Sequence, residues 1–203
     1  MNKFYRSAEL RTGVTAEFVV LDFLRENNIL DDNDYDYSIV YPTERKPYDI
    51  HCECDDASST IEVKAAKKLP QWKTFFAEVV QTKSKTYPEY LVTPPDHMVY
   101  VDTVGKELYL YDGVIFADAV KRRYWQKMPN KARTSEGIKF YTQSDEFGFI
   151  SKHGCEEQFE NVRSDYTQDI KNRLLASKDV PYREGNKECD GLPSLRKPIL
   201  LEQ

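Results

Sequence analysis

Two carboxylates and one amine stand at a spacing that could carry out phosphodiester chemistry. The first lies in Pro47-Tyr48-Asp49-Ile50, and after twelve residues beyond Asp49 come Glu62-Val63-Lys64. In an extended strand alternate side chains share a face, so Glu62 and Lys64 point one way while Ile61 and Val63 point into a core. A hairpin between the two segments would bring Asp49 beside them. Asp49 and Glu62 are then hard oxygen ligands suited to Mg²⁺ or Mn²⁺, since Mg²⁺ takes one or two carboxylates and keeps several waters. With a cation that activates water and stabilises phosphate charge, a neighbouring lysine can orient the attacking water. Alone, Glu-x-Lys on a strand is also a common exposed salt pair.

The elements that must position these residues are readable from periodicity. Residues 7–27 predict a helix, with Leu10, Val14, Leu21 and Leu24 on one stripe. Glu17 falls on that stripe, while Phe18, Val19, Val20 and Phe23 widen the apolar surface, so the helix should be buried on more than one side. Asp31 to Asp34 read as a loop. Residues 38–41, 48–54 and 60–65 read as strands, with Asp55-Asp56-Ala57-Ser58-Ser59 supplying the turn between the last two. Residues 75–81 read as a strand, and 97–102 and 107–112 as two more around Val104-Gly105. Residues 113–128 predict a helix with Val114, Ala117 and Val120 facing one way. Further on, 137–141 and 146–151 suggest a strand pair, 164–177 a helix, and the chain from Lys178 an extended tail. This order predicts an α/β fold in one domain: a core over 1–128 and a C-terminal extension over 129–203 that continues it.

These residues resemble the PD-(D/E)xK nuclease superfamily. Asp49 matches the motif's Asp, although Tyr48 separates it from Pro47, and Glu62 and Lys64 match its Glu-x-Lys. Arg11-x-Gly13-x-x-Ala16-Glu17 is similar to the opening helix of the archaeal Holliday-junction resolvases. There the helix glutamate supports the metal site, which would give Glu17 that role. The other reading of Glu17 is a boundary residue paired with Arg11, Arg25 or Lys64. Phe76-Ala77-Glu78 and Asp96-His97-Met98-Val99-Tyr100-Val101 are similar to a group of phage-type nucleases in the superfamily. The resemblance covers residues 11–112. The Gln-x-x-x-Tyr feature of the exonuclease-like branch is absent, since Lys85 lies four residues after Gln81.

The resemblance implies a restriction-endonuclease-like core, a mixed β-sheet flanked by helices. It implies a Mg²⁺-dependent DNA nuclease, an endonuclease of phage or restriction type. In that reading Asp49, Glu62 and the Val63 carbonyl bind metal, and Asp49, Glu62, Lys64 and Glu17 form the catalytic set. Two alternatives stay open: a Holliday-junction resolvase, which would need a homodimer with two sites, and a non-catalytic nucleic-acid-binding protein that keeps the fold. The expected location is the cytoplasm, that of a bacterial host if the gene is phage-encoded.

Composition fits and narrows this. In 203 residues, 40% are hydrophobic and 31% charged, which suits a packed core and excludes a disordered chain. No run of about 18 apolar residues predicts a membrane span. The N-terminal residues lack the apolar segment of a secretory signal, and four cysteines suit free thiols better than a disulfide framework. Cys52-x-Cys54 is half a zinc site, and His51, His97 and His153 are too scattered for a histidine nuclease. The net charge of −5 hides local basic runs. Lys67, Lys68, Lys73, Lys83 and Lys85 interleave with Trp72, Phe75, Phe76, Tyr87 and Tyr90, which predicts contacts to DNA backbone phosphates. A second run reaches from Lys121 to Lys139. Reversing Lys67, Lys68 and Lys73 to Glu should weaken binding to all DNA sequences about equally and flatten its salt dependence. An unchanged salt slope in a binding titration would move the DNA face to the second run.

Overall fold

The computed structural model describes residues 3–27, 29–30, 35–40, 47–66, 73–81, 85–130, 135–164, 166 and 168–172. Its elements run α1 (Lys3–Glu26), β1 (Asp36–Ile39), β2 (Ile50–Glu53), β3 (Ser58–Ala66), β4 (Thr74–Gln81), α2 (Glu89–Val92), β5 (His97–Asp102) and β6 (Glu107–Asp112). They continue with α3 (Gly113–Arg122), a 3₁₀ turn (Tyr124–Gln126), β7 (Met128–Pro129), β8 (Ser135–Tyr141), a second 3₁₀ turn (Asp145–Phe147), β9 (Phe149–Gly154) and α4 (Glu156–Ser164). The fold is α/β. A six-stranded mixed sheet has the order β1-β2-β3-β5-β6-β9, and β4-β8-β7 form a second, three-stranded sheet. Within the larger sheet β3 and β5 are parallel, and the other neighbours are antiparallel.

Alternation along the strands sorts their side chains into two apolar layers. On one face Ile50, Cys52, Ile61, Val63, Val99 and Val101 pack with α1 and α4. On the other, Met98, Tyr100, Tyr109 and Tyr111 pack with α3, β4 and β8. Phe18, Val19, Val20 and Leu21 are all buried, as a helix covered on more than one side requires. Leu10, expected on the apolar stripe, is instead 36% exposed. The buried Asp22 carboxylate accepts hydrogen bonds from Asn161 Nδ2 (3.2 Å) and the Tyr166 hydroxyl (3.1 Å), which ties α1 to the C-terminal part of the chain. A buried carboxylate without such donors would be costly.

The hairpin of β2 and β3, the strand over 75–81 and the pair β5–β6 follow the sequence pattern. Four expectations need correction. The helix predicted over 113–128 ends at Arg122, because the backbone leaves helical geometry at Arg123 and tightens into the 3₁₀ turn that buries Tyr124. Val114 is 54% exposed, and the buried face of α3 is Phe116, Ala117, Ala119 and Val120. The segments 137–141 and 146–151 do not pair with each other. β8 pairs with β4 and β9 with β6, because Phe147 turns inward to stack on Phe140 at 4.6 Å and the left-handed Gly148 (φ 70°) redirects the chain. A helix not predicted, α4, starts at Glu156 and buries Phe159 and Val162, while 168–172, within the predicted 164–177, are helical as expected. The acidic stretch 31–34, residues 173–177 and the tail from 178 lie outside the described residues.

One close approach fixes the entry to α3. Asp112 Oδ1 accepts from the Ile115 N–H (2.8 Å), capping the helix, and the Gly113 N–H donates to the Asp96 carbonyl (2.9 Å). A Cβ on Gly113 would stand 2.0 Å from the Pro95 carbonyl oxygen, a backbone atom that cannot swing aside. Gly113→Ala is therefore expected to cost about 1–3 kcal/mol or more by overpacking, read as a lower urea midpoint. An unchanged midpoint would mean that the β6–α3 junction adapts freely.

Candidate active site

β2 begins at Ile50, opposite Ile61, and this start shapes the site. Asp49 N–H still donates to the Ile61 carbonyl (2.9 Å), which holds Asp49 against β3 at the end of the hairpin. Beyond that point, among the described residues, no strand pairs with the β2 side of β3. The ladder is replaced there by a side chain: Asp49 Oδ2 accepts the Val63 N–H at 2.8 Å. The N–H and C=O of one strand residue point to the same edge, so the Val63 carbonyl faces the same opening.

Glu62 and Lys64 lie on the opposite face from Ile61 and Val63, with Met98 and Tyr100 as their neighbours on β5. Lys64 Nζ donates to Glu62 Oε1 and lies 5.9 Å from the centroid of the Tyr90 ring. The Glu62 side chain is 14% exposed and that of Lys64 37%, so the pair is sheltered but reachable from solvent. Asp49, Glu62, Val63 and Lys64 thus meet as the sequence predicts.

The electrostatics follow from that crowding. Burial pushes the Glu62 carboxyl up, Asp49's charge adds to the push, Lys64 opposes it and Glu17 adds a smaller contribution. The balance takes Glu62 from 4.5 up to about 8. For Lys64, burial disfavours the ammonium, but Glu62 and Asp49 outweigh it and hold the amine above its ordinary range. Burial also raises the Tyr100 hydroxyl, which Glu62 and Glu78 raise further against the pull of Lys64.

These donors fit a hard divalent cation. Asp49 Oδ1 and Glu62 Oε2 accept no hydrogen bond among the described residues, the Val63 carbonyl shares their opening, and Glu62, raised by burial and then by the charge of Asp49, is a carboxyl that a cation would favour in its ionised form. Among the described residues no group of three or more His, Cys, Asp or Glu side chains could hold a metal ion. The set is therefore two carboxylates and a carbonyl. Glu17 acts on Glu62 through its charge from α1, while Arg25 donates to the Tyr37 carbonyl (2.9 Å).

Other candidates are placed elsewhere. Asp96 accepts from both the N–H and the hydroxyl of Thr60, each at 2.8 Å, and so fixes the start of β5. His51 stacks on Tyr48 with ring centroids 5.8 Å apart. Cys52 and Cys155 are buried free thiols, and burial pushes Cys155 up to about 12. Glu78 lies on β4, where its carbonyl accepts the Tyr90 hydroxyl. Lys67, Lys68, Lys83 and Trp72 lie outside the described residues. Lys73 and Lys85 are exposed but flank the eight residues of β4, a strand of roughly 26 Å. Phe75 and Tyr90 belong to the core. Sequence reasoning did not assign Tyr90 and Tyr100 to the wall around Lys64, because their β5 and α2 positions carry only apolar periodicity.

A carboxyl whose pKa is higher folded than unfolded binds more protons in the folded state, so its contribution to stability falls as pH rises between the two values. For Glu62 the window is 4.5 to about 8. In chelator-treated protein, the stability of Glu62→Gln relative to wild type should rise across this window, by at most about 1.4 kcal/mol per pH unit. Urea unfolding at several pH values measures it, and a flat difference would show that Glu62 ionises normally.

The chain matches no protein-family model, no curated protein and no solved structure.

Proposed function

We propose that the protein is a Mg²⁺-dependent DNA nuclease with a restriction-endonuclease-like core of the PD-(D/E)xK kind. The observation that supports this most is the convergence of Asp49, Glu62, the Val63 carbonyl and Lys64 at the open edge of β3. Asp49 and Glu62, with the Val63 carbonyl, would hold the cation, which supplies charge stabilisation and a more acidic water. Asp49 also carries a structural duty, since its Oδ2 fixes Val63 and leaves Oδ1 for the ligand. Glu17 adds negative charge behind Glu62 and strengthens its pull on a cation.

Lys64 is charged throughout the neutral range, held by the same carboxylates. Its ammonium can hydrogen-bond the attacking water and stabilise charge on the phosphorus-bound oxygens. In the hydrolysis the water oxygen forms a bond to phosphorus, the bond to the leaving sugar oxygen breaks, and the water's proton is lost as the leaving oxygen gains one. The Glu62–Lys64 contact also favours a second reading, in which the pair is a salt bridge in a non-catalytic DNA-binding protein.

Lys64→Met and Asp49→Asn separate the readings. Methionine keeps the apolar stem and removes the charge. Asparagine keeps an oxygen for the Val63 N–H and removes a carboxylate. Under the nuclease reading, single-turnover cleavage with Mg²⁺ falls by about a hundredfold or more in each, as when one transition-state donor is lost. DNA affinity of Lys64→Met changes little, since one phosphate contact among many is a small share. Wild-type protein that leaves duplex, single-stranded and branched DNA intact with both Mg²⁺ and Mn²⁺ would instead favour the binding protein.

A further inference from the structure

A cavity of about 500 Å³ opens between α1, the β5–β6 turn and the C-terminal helical segments. Its size suits a small organic ligand. Four cations line it: Arg11, Lys106, Arg163 and Lys171, and no carboxylate does so among the described residues. Elsewhere on the molecule basic side chains are matched, Arg123 by Glu146, Lys127 by Glu136 and Lys152 by Glu107. No ion pair joins Arg11, Lys106 or Lys171 to a described carboxylate. The wall between the cations is apolar, with Phe159 and Val162 buried beneath it.

Lys106 is the centre of this arrangement. Its backbone is left-handed (φ 56°), an uncommon state for a residue with a Cβ, and its Nζ stands 3.5 Å from the centroid of the Phe159 ring. Burial lowers its ammonium's pKa and Arg163 lowers it further, against the weaker pull of Glu156 and Glu160. A cation crowded by a second cation over an aromatic face is relieved by an anion. The cavity also adjoins the end of β3. The N–H and hydroxyl of Thr103, which lines it, both donate to the Ala66 carbonyl (2.9 and 3.0 Å), two residues beyond Lys64.

We infer that this cavity binds the phosphate of a nucleotide, with the cations on the phosphate oxygens and the Phe159 side as the apolar surface. The source of that phosphate, the end of a nucleic-acid strand, rests on the nuclease reading; the phosphate chemistry does not depend on cleavage. The test uses the full chain in excess chelator and fluorescence anisotropy of a short single-stranded oligonucleotide bearing a 5′-phosphate. Competitors are the same oligonucleotide without the phosphate, adenosine monophosphate and inorganic phosphate. The 5′-phosphate should improve affinity about tenfold or more, the scale of charge-assisted hydrogen bonds. Lys106→Met and the exposed-site variants Arg11→Gln and Lys171→Gln should each remove much of that preference. Far-UV spectra and thermal melting show which variants are folded, and the exposed sites keep the test valid if Lys106→Met is not. Adenosine monophosphate competing as well as the phosphorylated strand would assign the site to a free nucleotide and overturn the strand as source. Equal affinity with and without the phosphate, or an undiminished preference in folded Arg11→Gln and Lys171→Gln, would overturn the site itself. A phosphate preference in a protein that cleaves no DNA would remove the nuclease reading alone, and cleavage without the preference would remove this one alone.

Discussion

The hydrogen bond from the Val63 N–H to Asp49 Oδ2 is the constraint on which the candidate site depends. It forms where β2 gives out along β3, so a side chain takes the place of a strand. Without it a half-buried backbone donor would lose its partner at a sheet interior, at a cost of about 1–3 kcal/mol. The same bond holds Asp49 against β3, where its charge acts on Glu62 and Lys64. Burial, and after it the charge of Asp49, raises the proton affinity of Glu62, and the two carboxylates together hold the proton on Lys64 against its own burial. Positive charge beside Glu62 offsets both its burial and its neighbour's charge.

The two apolar layers supply the rigidity for this arrangement. One mixes aliphatic side chains with rings such as Phe18, Phe23 and Phe159, and is built largely from α1, α4 and the odd-numbered side of β3. The other is aromatic: Phe75, Tyr100, Tyr111, Phe116, Phe140 and Phe147 meet mostly edge-on or tilted, geometries that suit ring quadrupoles. Its tyrosines are not all plain apolar residues. The Tyr111 hydroxyl donates to the Thr142 carbonyl (2.5 Å) and that of Tyr109 to Glu107 (2.8 Å), so the sheet around β6 is also tied by hydrogen bonds. Tyr100 joins the two functions, with its ring in the aromatic layer and its hydroxyl within the field of Lys64 and Glu62. The rings hold the floor on which the charged pair stands.

Charge is distributed by the fold rather than by the order of residues. The basic run that begins at Lys121 is partly neutralised, because β8 and the turn before β9 bring Glu136 and Glu146 to Lys127 and Arg123. By contrast, Arg11, Lys106 and Lys171 belong to no run in the sequence. They gather only because α1, a strand turn and the chain after α4 share one side of the sheet. A cluster assembled from three distant segments leaves no local signal.

Local pattern was enough for the parts whose period matches their burial. The alternation of Ile61, Glu62, Val63 and Lys64, with the polar turn before it, specified the hairpin and the shared face of Glu62 and Lys64. The apolar density of α1 specified a buried helix, and the runs at His97–Asp102 and Glu107–Asp112 specified two strands at their observed limits. The pattern failed where partners decide. Nothing in 137–141 or 146–151 says that one strand joins β4 and the other β6, since strand pairing is chosen by the inward turn of Phe147 and not by propensity. The end of α3 and the exposure of Val114 depend likewise on what packs against that helix. Residue types and spacing alone determined which side chains could do chemistry. The opening beside Val63, the raised carboxyl of Glu62 and the tyrosines under Lys64 were decided by tertiary structure, because each arises from groups brought together across strands and helices far apart in the chain.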